Sequence, residues 1–337
     1  MFRCNYNTIL EYIWIGGNCE IRSKTRVLNI AINKYIDVPY WNYDGSSTAQ
    51  ADSNSNTEVI LKPCKLFKNP FISDNNSKHF LVLCETYDVD LEPLSTNHRY
   101  NAVTIFNANL SIEPWFGLEQ EYFMIHKGEN GNNLCSEDGR YYCGTQLNPV
   151  ERTIVEEHLQ ACLTAKIKIS GLNAEVSPSQ WEFQVGPCEG IDSGDELIIA
   201  RFLLERISEK YSVQIIYTPK LYKHINGSGC HTNFSTAITR SENGIEEIYR
   251  CMVKLEKKHN EHIAVYGKDN EKRLTGIHET SSMNNFTFGI GTRNTSVRIP
   301  NHVVDDGCGY FEDRRPAANI DPYQVTSIIF KTCCLDE

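Results

Sequence analysis

Two glutamates one residue apart, Glu119 and Glu121, sit inside the aromatic and apolar run WFGLEQEYFM (115–124). Side chains two apart on a strand point the same way. Both carboxylates therefore share a face with Gly117 and Phe123, while Leu118, Gln120 and Tyr122 take the other. The polar stripe recurs. In QWEFQV (180–185), Glu182 and Gln184 oppose Trp181, Phe183 and Val185. In CHTNFS (230–235), His231, Asn233 and Ser235 line up, and in GYFEDRRP so do Tyr310, Glu312 and Arg314. Glu175 comes just before Ser177-Pro178-Ser179, a turn signal that could fold its strand back beside Glu182.

Convergence of these stripes on one cavity would gather Glu119, Glu121, Glu175, Glu182 and Glu312 with His231. Such a cluster is costly to ionise without compensation, and several carboxyl pKa values would rise. Divalent cations resolve the conflict, and an oxygen-rich set with one imidazole suits Mg²⁺ or Mn²⁺. The competing reading is a solvated rim of half-exposed edge strands. Arginines add a second theme: Arg273 near Glu279 in RLTGIHET, Arg293 and Arg298 in TRNTSVRIP, Arg314 and Arg315 in EDRRP. Guanidinium groups near a metal cluster suit a transferred phosphoryl group or a carboxylate substrate. Taken singly, each is more readily a surface ion-pair partner. No GxxxxGK[ST] loop and no GxGxxG leading into a helix is present. An ATP user with this sequence would hold the phosphates with metals and arginines on a sheet.

Helical and strand-like segments alternate around these stripes. Apolar spacing of three and four predicts helices over 151–168, 194–211 and 245–265, and Asp321-Pro322 reads as an N-cap with proline at the first turn of a last helix. Strand-like runs fall at 80–87, 114–125, 173–176, 180–185, 214–218, 230–236 and 296–300. The polar stretches 44–57 and 127–140 read as surface loops. A composition change over 88–98 marks the expected boundary between a small domain, 1–94, and a larger one, 95–337.

At 337 residues the chain exceeds what one core usually serves. Its 43 acidic and 33 basic residues give a net charge of −10, which argues against nucleic-acid binding. Thirteen cysteines without a CxxC pair point to reduced thiols. The start of the chain, MFRCNYNTILEYIWIGG, does not read as a signal peptide, and no run approaches the roughly 20 apolar residues of a membrane span. A cytoplasmic protein is the expectation.

Longer motifs carry a family resemblance. YIWIGG, KTRVL, WNYDGSSTAQA, PWFGLEQEY, YYCG, NAEVSPSQWEFQVGPCEGI, NGSGCHTNFST, RLTGIHETS, RIP and GYFEDRRPAANIDPYQVT follow one another through nearly the whole chain. Together they resemble the eukaryotic-type glutamine synthetases. The resemblance implies an α+β fold: a β-grasp-like N-terminal domain, then a catalytic domain whose curved antiparallel sheet, flanked by helices, forms a funnel around two divalent metals. It implies that Glu121, Glu175 and Glu182 hold the metal near glutamate and ammonia, and that Glu119, His231 and Glu312 hold the one coordinating ATP. Glu119, Glu182, Asn233, Ser235, Arg293, Arg298 and Tyr310 match ATP contacts. Asn226, Gly227, Arg273, Arg293 and Arg314 match glutamate contacts.

The implied activity is ligation of ammonium to L-glutamate through γ-glutamyl phosphate, with ATP as co-substrate. Arg298 would stabilise charge on the transferring group. Glu279 matches the flap residue that shields the intermediate and accepts an ammonium proton, and Asp44 the aspartate that deprotonates ammonium. In the family that aspartate reaches a neighbouring subunit's site, which implies a homo-oligomer of stacked pentameric rings. Some positions depart from the pattern: Ile225 replaces an aromatic, Ala237 a lysine and Asn301 a basic residue, and the 125–141 segment is short. A γ-glutamyl-amine ligase and a non-catalytic scaffold are the rival readings. Asp44 and Glu279 favour ammonium over larger amines, and the complete set of metal ligands and arginines argues against a scaffold.

Overall fold

The computed structural model describes residues 8–54, 56–72, 78–126 and 141–335. The expected loop at 127–140 lies outside the described residues. The chain divides into two compact units. One runs through Asn101 and includes Gln160–Ile167; the other comprises Ala102–Leu159 and Lys168–Glu337.

The first unit is built on five strands, β1 (Thr8–Ile15), β2 (Ile21–Leu28), β3 (Trp41–Asp44), β4 (Glu58–Lys68) and β5 (Lys78–Tyr87), in the order β2-β1-β5-β4-β3. The central pair β1/β5 is parallel and the other neighbours are antiparallel, a β-grasp-like arrangement. Alternation puts Leu10, Tyr12 and Trp14 of β1 on one face, where they meet Leu61, Val82 and Cys84. The stretch 44–57 does not stay wholly on the surface as its polarity suggested. It opens with a 3₁₀ turn over Gly45–Thr48 in which Gly45 and Thr48 are buried. Thr48 Oγ1 donates to the Gly45 carbonyl at 3.0 Å, and Gln50 Nε2 donates to the Ile15 carbonyl and Thr96 Oγ1. Polar groups satisfied in this way can be buried.

The remaining elements are α1 (His98–Phe106), β6 (Trp115–His126), α2 (Pro149–Ala165), β7 (Ile169–Ala174), β8 (Gln180–Glu189), α3 (Asp192–Lys210), β9 (Val213–Ile216), β10 (Cys230–Ser235), α4 (Ile245–Lys257), α5 (His259–Val265), β11 (Phe288–Ile290), β12 (Val297–Ile299), α6 (Asn301–Asp306), β13 (Phe311–Asp313) and α7 (Pro322–Cys334). Eight strands make the curved sheet of the second unit among the described residues, ordered β11-β12-β13-β10-β6-β8-β7, with β9 pairing β6 beyond the β10 register. All its pairs are antiparallel except β11/β12. β6 is thus an interior strand, flanked by β8 and β10, and the edge-strand reading of its acids does not hold.

One face of this sheet is aromatic. Phe116, Phe234 and Phe311 are cross-strand neighbours with ring centroids 5.0 and 5.5 Å apart, and Phe106 of α1 joins Phe116 to Phe330 of α7. Burying these rings turns the alternate residues, the polar stripes, to the other face. The helix expected over 245–265 is two helices. At Lys258 the backbone leaves the helical basin (φ −100°, ψ 12°), and the turn lets His259 meet the Met283 carbonyl and Arg315.

Candidate metal centre and active site

Strand register brings the acids together. On the β6/β10 ladder Glu119 faces His231, and on the β6/β8 ladder Glu121 faces Glu182. The β10/β13 ladder sets Glu312 opposite Asn233, one alternation from His231. The hairpin expected from Ser177-Pro178-Ser179 forms: Asn173 pairs Glu182, and Glu175 N donates to the Gln180 carbonyl at 2.8 Å. Two three-residue sets result, Glu119–His231–Glu312 and Glu121–Glu175–Glu182, each with ligand atoms within 4.8 Å of one another.

The two sets differ electrostatically. Arginines compensate the first. Glu312, 1% exposed, has Arg314 Nη1 2.7 Å from Oε1 and Arg298 Nε 2.7 Å from Oε2. Arg273 Nη2 lies 3.0 Å from His231 Nε2, and the other ring nitrogen, Nδ1, lies 3.5 and 3.4 Å from Glu119 and Glu312. Burial, then the charge of Arg314, holds the His231 pKa well below its usual range. Gly229 makes the arginine contact possible, because a Cβ there would lie 2.5 Å from Arg273 Nη2 and 2.9 Å from His231 Nε2. Burial also pulls Arg273 down to about 10.

The second set is held by neutral donors. Gly229 N donates to Glu121 Oε2 at 2.6 Å, Asn173 Nδ2 to Glu175 Oε1 at 2.9 Å and Gln184 Nε2 to Glu182 Oε1 at 2.7 Å. Burial first, and then neighbouring carboxylates, push Glu121 up to about 8 and Glu182 up to about 9. Burial also raises Glu175. Crowded acids in this state need either protons or a cation. Each carboxylate has at least one oxygen tethered by a donor, and Glu175 both, since Val176 N donates to its Oε2 at 3.2 Å, as outer-shell partners tether metal ligands. An all-carboxylate set beside a set of two carboxylates and one imidazole fits two divalent cations.

These side chains line a cavity of about 240 Å³ that also takes in Asn226, Gly227, Arg273, Glu279, Arg293, Arg298 and Arg314. At its exposed rim Arg293 Nη1 lies 3.2 Å from Glu279 Oε1. His278 and Glu279 both have left-handed backbones (φ 54° and 62°), a strained pair of the kind found at functional loops. Asn233 Nδ2 donates to Glu119 Oε1 at 2.8 Å. Ser235 is buried and accepts from Arg240 Nη1 at 3.0 Å. Tyr310 packs on His302, and burial raises its pKa. Asp44 belongs to the first unit. It caps the 45–48 turn, accepting from Ser46 Oγ at 2.7 Å and Ser46 N at 3.0 Å, which lowers its pKa.

The cavity also contains Tyr142, Asn173, Gln180, Gln184, His278 and Thr280, none of which the sequence singled out as site residues. Alternation could have flagged three of them: Gln180 and Gln184 share the stripe of Glu182, and Asn173 stands two before Glu175. Gln180 reaches Gly227 O (2.9 Å) and Glu121 Oε2 (3.4 Å).

Fold and site together point to a class of metal-dependent enzyme, in which a curved sheet presents two carboxylate-rich sets that could hold cations under a rim of guanidinium groups. The model of the glutamine synthetase catalytic domain matches residues 101–264. A protein of Acanthamoeba polyphaga mimivirus is 56% identical over 336 residues, covering 97% of this chain and 94% of its own. The glutamine synthetase of Emericella nidulans is 49% identical over 337 residues (97% and 93%), and that of Agaricus bisporus 48% identical over 334 (97% and 93%). The chain belongs to the glutamine synthetase family, and is an enzyme of the ligase class.

Proposed function

We propose that the chain joins ammonia to L-glutamate at the expense of ATP, giving L-glutamine, ADP and phosphate. The observation that carries this reading is the pairing of the two cation sets under Arg298, Arg314 and Arg293, in a chain about half identical to named glutamine synthetases. Glu121, Glu175 and Glu182 would hold one Mg²⁺ or Mn²⁺ beside glutamate. Glu119, His231 and Glu312 would hold another beside the nucleotide. Bound cations would supply charge neutralisation at phosphoryl oxygens.

The other steps fall to the chain's own groups. Arg273, Arg314, Asn226 and Gly227 bind and orient glutamate, while Asn233, Ser235 and Tyr310 bind the nucleotide, with Glu119 and Glu182 facing it. The γ-carboxylate oxygen attacks the γ-phosphorus and ADP leaves, with Arg298 and Arg293 stabilising the transferring group. Ammonium is no nucleophile until it loses a proton, and an anionic pocket of Asp44 and Glu279 favours its binding and takes that proton. Ammonia then attacks the carbonyl carbon, the bond to the phosphate oxygen breaks, and phosphate departs carrying the proton that the new amide nitrogen gives up. Glu279 shields the acyl phosphate from water.

Asp44 would come from a neighbouring copy in a stacked double ring of pentamers. The β-grasp-like segment 1–94 would thus complete a site built by 95–337. No helix among the described residues is long and apolar enough to cross a membrane, and we place the enzyme in the cytoplasm.

The test is phosphate release and product formation by purified protein with Mg²⁺, ATP and glutamate, with ammonium or larger amines. Release that requires ammonium and yields glutamine is the expected result. Release with a larger amine alone would make it a γ-glutamyl-amine ligase, and none in a cation-loaded oligomer would make it a scaffold.

A further inference from the structure

Glu151, in the first turn of α2, is 2% exposed and has no part in the cavity. Its carboxylate takes two donors and lies beside a histidine ring. Oε1 accepts from Ser179 Oγ at 2.7 Å and lies 3.1 Å from His126 Nε2, which also meets Asn148 Nδ2 at 3.2 Å, while Oε2 accepts from Trp181 Nε1 at 2.9 Å. These partners belong to the end of β6, the β7–β8 turn and β8. A buried carboxylate is costly unless fully bonded, and an apolar side chain of similar volume would fill the same space.

What the carboxylate adds is hold over the turn. Ser179 has a left-handed backbone (φ 56°), a conformation that costs a non-glycine residue about 1 kcal/mol. Residues 179–182 alternate between Glu151 and the cavity. Ser179 and Trp181 bond to Glu151. Gln180 reaches Gly227 O, Ser228 Oγ and Glu121 Oε2, and Glu182 is itself in the cluster. The same turn sets Glu175, through its N–H to the Gln180 carbonyl. All three acids of the second set thus depend on a turn that Glu151 anchors. The first set lies on β6, β10 and β13 and takes no contact from it.

We propose that Glu151 is a positioning residue selective for the Glu121–Glu175–Glu182 set, fixing the turn so that these carboxylates converge. This rests on the reading of that set as a cation site. The test uses the full chain with Glu151→Leu, Glu151→Gln and Ser179→Ala, read by Mn²⁺ calorimetry without substrates and by KM for glutamate and for ATP. Glu151→Gln can still accept from Trp181 and bond Ser179, and should stay within a few-fold of the parent. Glu151→Leu should weaken one of the two cation-binding steps by roughly 10- to 100-fold, raising KM for glutamate more than KM for ATP. Ser179→Ala should move the same step by a smaller factor.

A folded leucine variant with both steps unchanged, or both weakened alike, overturns the proposal. So does an unfolded leucine variant together with an unshifted Ser179→Ala, since Glu151 would then serve the fold alone. A parent that binds two cations yet makes no glutamine would count against the proposed function and leave this inference standing.

Discussion

Glu121 is where the chemistry and the electrostatics of the chain meet. It is held by the Gly229 N–H, approached by Gln180, opposed by Glu182 and raised to about 8 chiefly by burial. Glu119, two residues earlier, looks instead toward His231 and Asn233. The Glu-x-Glu spacing thus divides one strand face between the two three-residue sets. Replacing Glu121 by alanine removes a proposed cation ligand but leaves the aromatic face of β6 untouched. Glutamine formation is therefore expected to fall by at least about a thousandfold while oligomer size is unchanged, because losing a group on which transition-state charge depends costs about 4 kcal/mol or more. Near-normal turnover in a chromatographically intact Glu121→Ala protein would remove the second cation from the mechanism.

At the scale of elements, the strand that carries these acids is fastened through the residue between them. Gln120 is fully buried, and its Nε2 donates to the carbonyls of Glu121 and Ala318. Its Oε1 accepts from Arg201 of α3, which also donates to the carbonyls of Ile320 and Ala318 and stacks over Tyr217. Arg201→Met would leave Gln120 Oε1 and the Ile320 carbonyl buried and unpaired, a loss of about 1–3 kcal/mol for each. Adding Gln120→Met should return part of it, since removing both partners of a buried pair costs less than removing one. Urea unfolding of the metal-free proteins reads this, and equal stability of single and double variants would count against the coupling. Such long-range ties set the limit of what sequence reveals. Alternation in WFGLEQEYFM and QWEFQV was enough to say which side chains share a face, and Ser-Pro-Ser was enough to fold Glu175 toward Glu182. Nothing local said that β6 is interior, that β10 and not β7 lies on its other side, or that Arg201 would be buried. The break at Lys258 escaped too, because its causes, Met283 and Arg315, are distant in sequence. The short helices α1 and α6 have too few residues to establish a period.

For the molecule as a whole, pH and assembly are the properties to test. His158 and His262 are buried neutral. His158 Nε2 donates to the Ala200 carbonyl, and His262 lies between Tyr266 and Thr332. Burial lowers them from 6.5 to about 4 and about 3. Because the folded pKa values lie below the unfolded one, the stability these residues contribute is complete above about pH 6.5 and is lost as pH falls toward 4 and 3. Linkage makes the loss about 2 kcal/mol from each at pH 5. The urea midpoint should drop less between pH 7 and pH 5 in a His158→Gln, His262→Gln protein than in the parent, and parallel drops would show that other groups govern acid unfolding. Assembly bears on activity through Asp44. Placing it in a neighbour's site makes Asp44→Ala and Glu121→Ala defects of different subunits' contributions to one site. Each variant alone should be inactive. Unfolded together in equal amounts and reassembled, they should regain about a quarter of parental activity, because a cyclic contact between random neighbours pairs an intact Asp44 with an intact Glu121 at about one site in four. No recovery in mixed oligomers, shown to contain both chains by mass, would place Asp44 and Glu121 in the same subunit's site.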